Sequence, residues 1–206
     1  MTGKVFFSVT MSLDGFIAPG SLGDLMGQQW MELQAWAFPQ RFLRELLKPG
    51  EGGEEGRDND IARETFERTG ASVMGKRMFE AGEQMWPEEA PFHTPVFVVT
   101  HEKRDPWERP GGTTFLFVND GIEAALDQAR EVAGDRDVRI AGGGATILEY
   151  VNAGLIDEFS IALSPVLFGS GIRLFEGVDA GRVALEQIRA EPSPRVTHLT
   201  YAVRER

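Results

Sequence analysis

The sequence predicts an α/β domain of three layers, with a mostly parallel central sheet and an antiparallel C-terminal edge. Two patterns and the length predict it. Through most of the chain, short runs of β-forming residues alternate with segments whose apolar residues recur at helical spacing, as in βαβ units. At the end the period changes to two. Thr197, Leu199, Tyr201 and Val203 answer Val183 to Ile188 across a connection of Pro192, Ser193 and Pro194, which reads as an antiparallel pair. Folding a chain of 206 residues buries roughly 70% of its extended surface, enough for one good core. A single domain over 1–206 is expected, with an insertion at about 20–60.

The elements follow in order. Val5 to Met11 is a strand buried on both faces, and Asp14 and Gly15 turn the chain after it. Gln28 to Lys48 carries Trp30, Leu33, Trp36, Ala37, Phe42, Leu43, Leu46 and Leu47 at helical spacing, with Pro39 as a break. Pro49 to Asp58 is a glycine-rich, acidic loop, expected to be a mobile lid. Asp60 is expected to cap a helix through Ile61, Ala62, Thr65 and Phe66 that stops at Gly70. Ala71 to Met74 is a short strand, and Gly75 opens a helix through Met78 and Phe79. Pro95 to Thr100 and Thr113 to Val118 are buried strands. Asp120 and Glu123 form a capping-box pattern for a helix closed by Gly134. Asp137 to Ala141 is a strand, Ile147, Leu148 and Val151 mark a helix ending at Gly154, and Phe159 to Leu163 is a strand.

Composition excludes several classes. The chain has no cysteine, so a disulfide scaffold, a thiolate nucleophile and a Cys-ligated zinc or iron–sulfur site are out. Lys and Arg number 21 against 32 Asp and Glu, and a formal charge of −11 argues against a general nucleic-acid binder. Met1 to Thr10 lacks the pattern of a signal peptide, and no apolar run reaches the ~18 residues of a membrane span. A soluble, cytoplasmic protein with no membrane partner is expected. His93, His101 and His198 are too scattered to suggest a metal, and neither G-x-S-x-G nor a P-loop occurs.

The remaining signals point to a nucleotide. Glycine makes up 24 of 206 residues against a usual ~7%, and the residues cluster. In Ile140 to Thr146 a strand runs into Gly142, Gly143 and Gly144 and then into a helix beginning at Ala145 and Thr146. Unpaired amides and the helix dipole would meet a pyrophosphate there without interference from side chains; the bland alternative is a tight turn. Gly75, Lys76 and Arg77 repeat the arrangement, and adjacent cations at a helix N-terminus favour a bound anion over empty solvent. Thr100, His101, Glu102, Lys103 and Arg104 follow another buried strand, and strand carboxyl ends are where such sheets bind ligands. Those cations suit a ribose 2′-phosphate, so NADP is favoured over NAD. On the substrate side the candidates are Trp36, with Trp30 and Phe38, and Asp14. The aromatics could equally be core, and Asp14 could equally hold its own turn.

Taken together, SVTMSLDGFIA, VMGKRMFEAG, PVFVVTHEKR and RIAGGGATILEYVNAGLIDEFSIALSPVLFGSGIRLF resemble the dihydrofolate reductase-like superfamily. Within it they are most similar to the reductase domain of riboflavin biosynthesis and its stand-alone relatives. The resemblance covers nearly the whole chain except Gly20 to Asp60. It implies a dihydrofolate reductase-like sandwich that binds NADPH. The loop from Thr10 through Ile17 would touch the nicotinamide, and Gly75, Lys76 and Arg77 would hold phosphate. Thr100, His101 and Arg104 would flank the 2′-phosphate, and Gly142, Gly143, Gly144, Ala145 and Thr146 would wrap the pyrophosphate. Where folate reductases place a pterin-holding acid, this chain has Gln28 to Leu47 and the acidic loop, so the implied substrate is a small heterocycle or carbonyl compound rather than folate itself. The family also implies a homodimer. The expected function is hydride transfer from NADPH; the alternative is a non-catalytic NADP-binding dimer with a regulatory or redox-sensing role.

Overall fold

The computed structural model describes residues 3–21, 24, 27–47 and 52–205. The end of the predicted helix at Lys48 and the loop residues Pro49, Gly50 and Glu51 lie outside them.

Strands β1 (Val5–Ser12), β3 (Thr69–Gly75), β4 (Pro95–Val99), β6 (Thr114–Val118), β7 (Asp137–Gly142) and β8 (Glu158–Ser164) form the parallel body of the sheet. Antiparallel β5 (Trp107–Glu108) adds to one edge, and β10 (Val183–Pro192) and β11 (Thr197–Glu205) to the other. The order is β10-β11-β8-β1-β7-β3-β4-β6-β5, nine strands with β1 between β8 and β7. A separate short pair joins β2 (Phe16–Ala18) to β9 (Ile172–Arg173). At two or three residues these two strands show too little alternation to be read from sequence.

Both sheet faces are covered. Val5, Phe7, Val73, Val138, Ile140, Phe159 and Ile161 turn to one side, under α5 (Gly121–Ala133) and α6 (Gly144–Asn152). Leu126, Ala129, Ile147 and Tyr150 of those helices close the main core. On the other side Met74, Val96, Val98 and Phe115 pack beneath Phe79 of α4 (Lys76–Glu83), with Trp86 stacked on Phe115 at 5.2 Å. Fully burying one such side chain contributes about 1.5–3 kcal/mol, so the two clusters dominate stability. The rest of this face lies beneath α1 (Gln28–Leu33), α2 (Arg41–Leu47) and α3 (Arg57–Glu67), and there the packing leaves a cavity.

Several local expectations are corrected. The Gln28 to Lys48 segment is two helices, parted around Pro39. Helix α3 begins at Arg57, so Asp60 lies in its first turn, beside Asp58, rather than at the cap. Gly70 does not end the helix; it sits inside β3, where a Cβ would come within 2.8 Å of Arg136 and 2.9 Å of Ala133. Asp120 makes no side-chain cap because its backbone (φ −99°, ψ 20°) is not extended, as a capping residue must be. The described part of the acidic loop is strapped down. Glu54 donates its amide to the Pro39 carbonyl, and its carboxylate takes two bonds from Arg195, at 2.6 and 2.8 Å. Among the described residues no helix is long and apolar enough to cross a membrane.

Candidate active site

The carboxyl ends of β1, β3, β4 and β7 open onto a cavity of about 1090 Å³. That volume is at the upper end for small-molecule pockets, and it suits two molecules lying end to end. The cavity has two halves of different chemistry.

The first half is built from backbone. Gly75, Gly121 and Gly144 line it where α4, α5 and α6 begin, and none of these helices carries a side-chain cap. Uncapped first-turn amides and the positive ends of the helix dipoles therefore face the same space. A Cβ on Gly143 would have no heavy atom within 4 Å, so the bare peptide there borders open cavity. Lys76, Arg77, Thr100, His101, Ala145 and Thr146 complete the wall. Asn119, which the sequence reading missed, also lines it and donates to the carbonyls of Thr100 (3.0 Å) and Glu102 (2.9 Å), fixing the loop after β4.

The cations in this half differ. Lys76 is bound by Glu102 at 2.7 Å and Glu80 at 3.0 Å, and these carboxylates raise its pKa. Arg77 makes no ion pair among the described residues. Arg104, expected at a 2′-phosphate, does not line the cavity. It donates to Glu83 at 2.5 Å and lies over the rings of Phe117, Phe79 and Trp107, at 4.8 to 5.4 Å.

The second half lies between the sheet and α1 to α3. Thr10, Ile17, Trp30, Trp36, Ile61 and Phe66 line it. Trp36 Nε1 donates to Thr10 Oγ1 (3.0 Å), and the Thr10 hydroxyl donates to Gln34 Oε1 (3.0 Å). Trp30 also packs on Phe38, their rings 5.7 Å apart. Behind Trp36, His198 Nε2 lies 2.7 Å from Asp58 Oδ1, a buried pair whose imidazole meets the indole edge-on at 5.0 Å. Arg139, Ser8, Ser160 and Thr200 rise from the sheet beneath these groups.

Asp14, expected at the substrate, is outside the cavity lining. Its carboxylate accepts from Ser12 Oγ (2.6 Å) and from the amides of Phe168 (3.0 Å) and Gly169 (2.7 Å). The Ser12 hydroxyl, and then the amides, hold its pKa at about 2, below the ordinary 3.8. It clasps two loops and does not face a ligand.

Residues 3–199 match the family model of the RibD C-terminal domain. The chain belongs to that family. As a RibD C-terminal domain it shares its sheet with a putative riboflavin biosynthesis protein from Shewanella sp. PV-4, at a TM-score of 0.66 and 22% identity over 98% of this chain and 99% of that one. Dihydrofolate reductase from Enterococcus faecalis, solved with NADP(H), aligns at a TM-score of 0.57 and 16% identity over 98% of each chain. At such identities the likeness is one of fold. Among curated proteins it is 31% identical to YyaP of Bacillus subtilis (strain 168) over 87 residues, 42% of this chain. That match spans 45% of the relative, about half of its length.

Proposed function

We propose that this RibD C-terminal domain is an NADPH-dependent reductase, delivering hydride to a small heterocyclic or carbonyl substrate. One observation carries the reading: a single cavity joins a wall of bare amides and cations to a wall of aromatic rings. The first suits a dinucleotide, the second a planar electrophile beside it. Gly143 fits the coenzyme in particular, since the space that its missing side chain leaves is unfilled by protein.

In this reading Gly142 to Thr146 take the pyrophosphate, and Lys76 and Arg77 take phosphate charge. Thr100 and His101 stand where the adenosine end lies, and Thr10 and Ile17 border the nicotinamide. The bound coenzyme supplies the hydride; the protein contributes orientation and exclusion of water. Trp36 and Trp30 keep the substrate side dry, and the Thr10–Gln34–Trp36 bonds fix the angle at which Trp36 meets it. Asp14 is committed elsewhere, which leaves the proton that follows the hydride to one ordered water, bulk water being excluded. Helices α1 and α2, with Trp30 and Trp36, cover the substrate half.

Two further features belong to the same reading. β10 is an edge of the nine-stranded sheet and leaves Leu185 and Ile188 half exposed, which suits a homodimer joined along that edge. A reductase drawing on NADPH would work in the cytoplasm. The test is loss of reduced-nicotinamide absorbance with a panel of pterins, pyrimidinones and quinoid compounds. Turnover of any of them supports the reading. Tight coenzyme binding without turnover favours the regulatory alternative, and absence of coenzyme binding overturns both.

A further inference from the structure

Arg139 stands out among the arginines of this chain. Arg57, Arg68, Arg104 and Arg195 each hold a carboxylate at 2.8 Å or less. Arg139 sits mid-strand in β7, in register with Phe6 of β1 on one side and Ser72 of β3 on the other, and no carboxylate among the described residues pairs with it. Its Nε is sealed from solvent and has no acceptor among the described residues. The Phe66 ring covers one face of the guanidinium at 4.7 Å. Burial pushes its pKa down to about 10, so it still carries its charge at neutral pH. A half-buried charge without a carboxylate among the described residues is costly, and a ligand anion in the cavity would relieve it.

Its surroundings fit such an anion. Ser8, Ser160 and Thr200 are aligned across β1, β8 and β11 on the face that Arg139 shares. Ser160 and Thr200 bond each other at 3.0 Å, while the Ser8 hydroxyl has no partner among the described residues. Arg189 also borders the cavity, but Glu191 (3.2 Å) and Glu64 (3.5 Å) match its charge. Glu149 is the one carboxylate among the described lining residues, and it belongs to α6, in the layer across the sheet. One positive charge therefore lines the floor of the substrate half with one face covered by the Phe66 ring and no carboxylate partner among the described residues.

We infer that Arg139, with the Ser8 hydroxyl, anchors a carboxylate on the substrate, which is a planar ring bearing a single negative charge. The planar fork of a guanidinium pairs with carboxylate and phosphate alike, but the single charge here matches a carboxylate, whereas a dianionic phosphate would leave one charge unmatched. The substrate class rests on the reductase reading; the anion subsite does not.

The test compares orotate and pterin-6-carboxylate with neutral uracil and pterin, and acetate with inorganic phosphate, by calorimetry and thermal melts at constant ionic strength. NADPH affinity is measured in parallel. The acids should bind wild type at least about tenfold more tightly than their neutral partners, as a charge-assisted pair requires. R139M should lose that preference, melt no lower than wild type and bind NADPH unchanged. R139K, which keeps the charge but not the fork, should fall between them. Full carboxylate preference in R139M overturns the subsite, as does wild type unaffected by every anion. Should R139M fail to fold, carboxylate affinity in R139K equal to wild type overturns it. With NADPH already filling the phosphate wall, phosphate bound more tightly than acetate by wild type but not by R139M overturns the carboxylate assignment. If NADPH fails to bind while acetate still protects wild type and not R139M, the reductase reading falls and the subsite stands.

Discussion

Thr146 Oγ1 occupies the place where any side chain on Gly75 would begin. The hydroxyl at the start of α6 thus packs straight onto the end of β3, and the contact seats one glycine turn beside the other. Gly75→Ala should force α6 away from the strand, and overpacking of this kind costs about 1–3 kcal/mol. Urea denaturation would record the loss. The Thr146 Cβ would stand 3.4 Å from the new methyl, an ordinary contact, so Gly75→Ala with Thr146→Ala should regain most of it. A double variant as unstable as the single would disprove the packing account.

Gly143 is the opposite case. Its φ of −74° and ψ of −171° suit any residue, and a Cβ there would meet no heavy atom within 4 Å beyond its chain neighbours. Gly143→Val should therefore fold with stability changed by no more than about 0.5 kcal/mol, as at an open surface site. Its side chain would fill the space assigned to the pyrophosphate, and NADPH affinity should drop below detection. Wild-type affinity in a folded Gly143→Val protein would remove the coenzyme from this wall.

These backbone features were legible in the sequence because a site made of amides demands glycine, and glycine after a buried strand is conspicuous. The parallel body and antiparallel edge were legible because hydrophobic period survives without knowledge of partners. Side-chain networks were not. Asp58 meets His198 across 140 positions and Asp14 meets Phe168 across 154, and nothing local announces either pairing. Asp14 was noticed as a carboxylate, but its direction depends on that distant loop. Arg139 did leave a signal: it is a charge in the middle of the strand read at Asp137 to Ala141, between Val138 and Ile140.

Arg77, and not Arg104, stands where it can meet the 2′-phosphate. Arg104 is occupied by Glu83 and a cluster of rings, so Arg104→Ala should lower the melting temperature and leave the ratio of NADPH to NADH affinity alone. Arg77 lines the cavity and has no carboxylate partner among the described residues. Arg77→Ala should weaken NADPH by about tenfold or more, the size of a charge-assisted hydrogen bond, and NADH far less. Titration of both variants with both coenzymes decides this. A loss confined to Arg104→Ala would restore the sequence-based assignment.

Asp14 gives a pH-dependent prediction with a fixed sign. Its pKa falls from 3.8 to about 2 on folding, because the bonds from Ser12, Phe168 and Gly169 are made to the ionised form. A group depressed on folding stabilises the native state above its unfolded pKa, and that contribution is lost as pH falls through its folded one. Asp14→Asn keeps the shape but weakens three acceptor bonds, so it should melt below wild type at neutral pH. The gap should stay constant down to about pH 4 and close between there and about pH 2, where wild type loses the same charge. Because the clasp joins the loop after β1 to the segment before β9, the variant should also loosen Ile17 against Gly144, whose Cβ would stand 3.2 Å from that side chain. Coenzyme affinity should then fall modestly at neutral pH while substrate preference stays unchanged, since Asp14 reaches no ligand. A change in substrate preference with the melting temperature intact would return Asp14 to the active site.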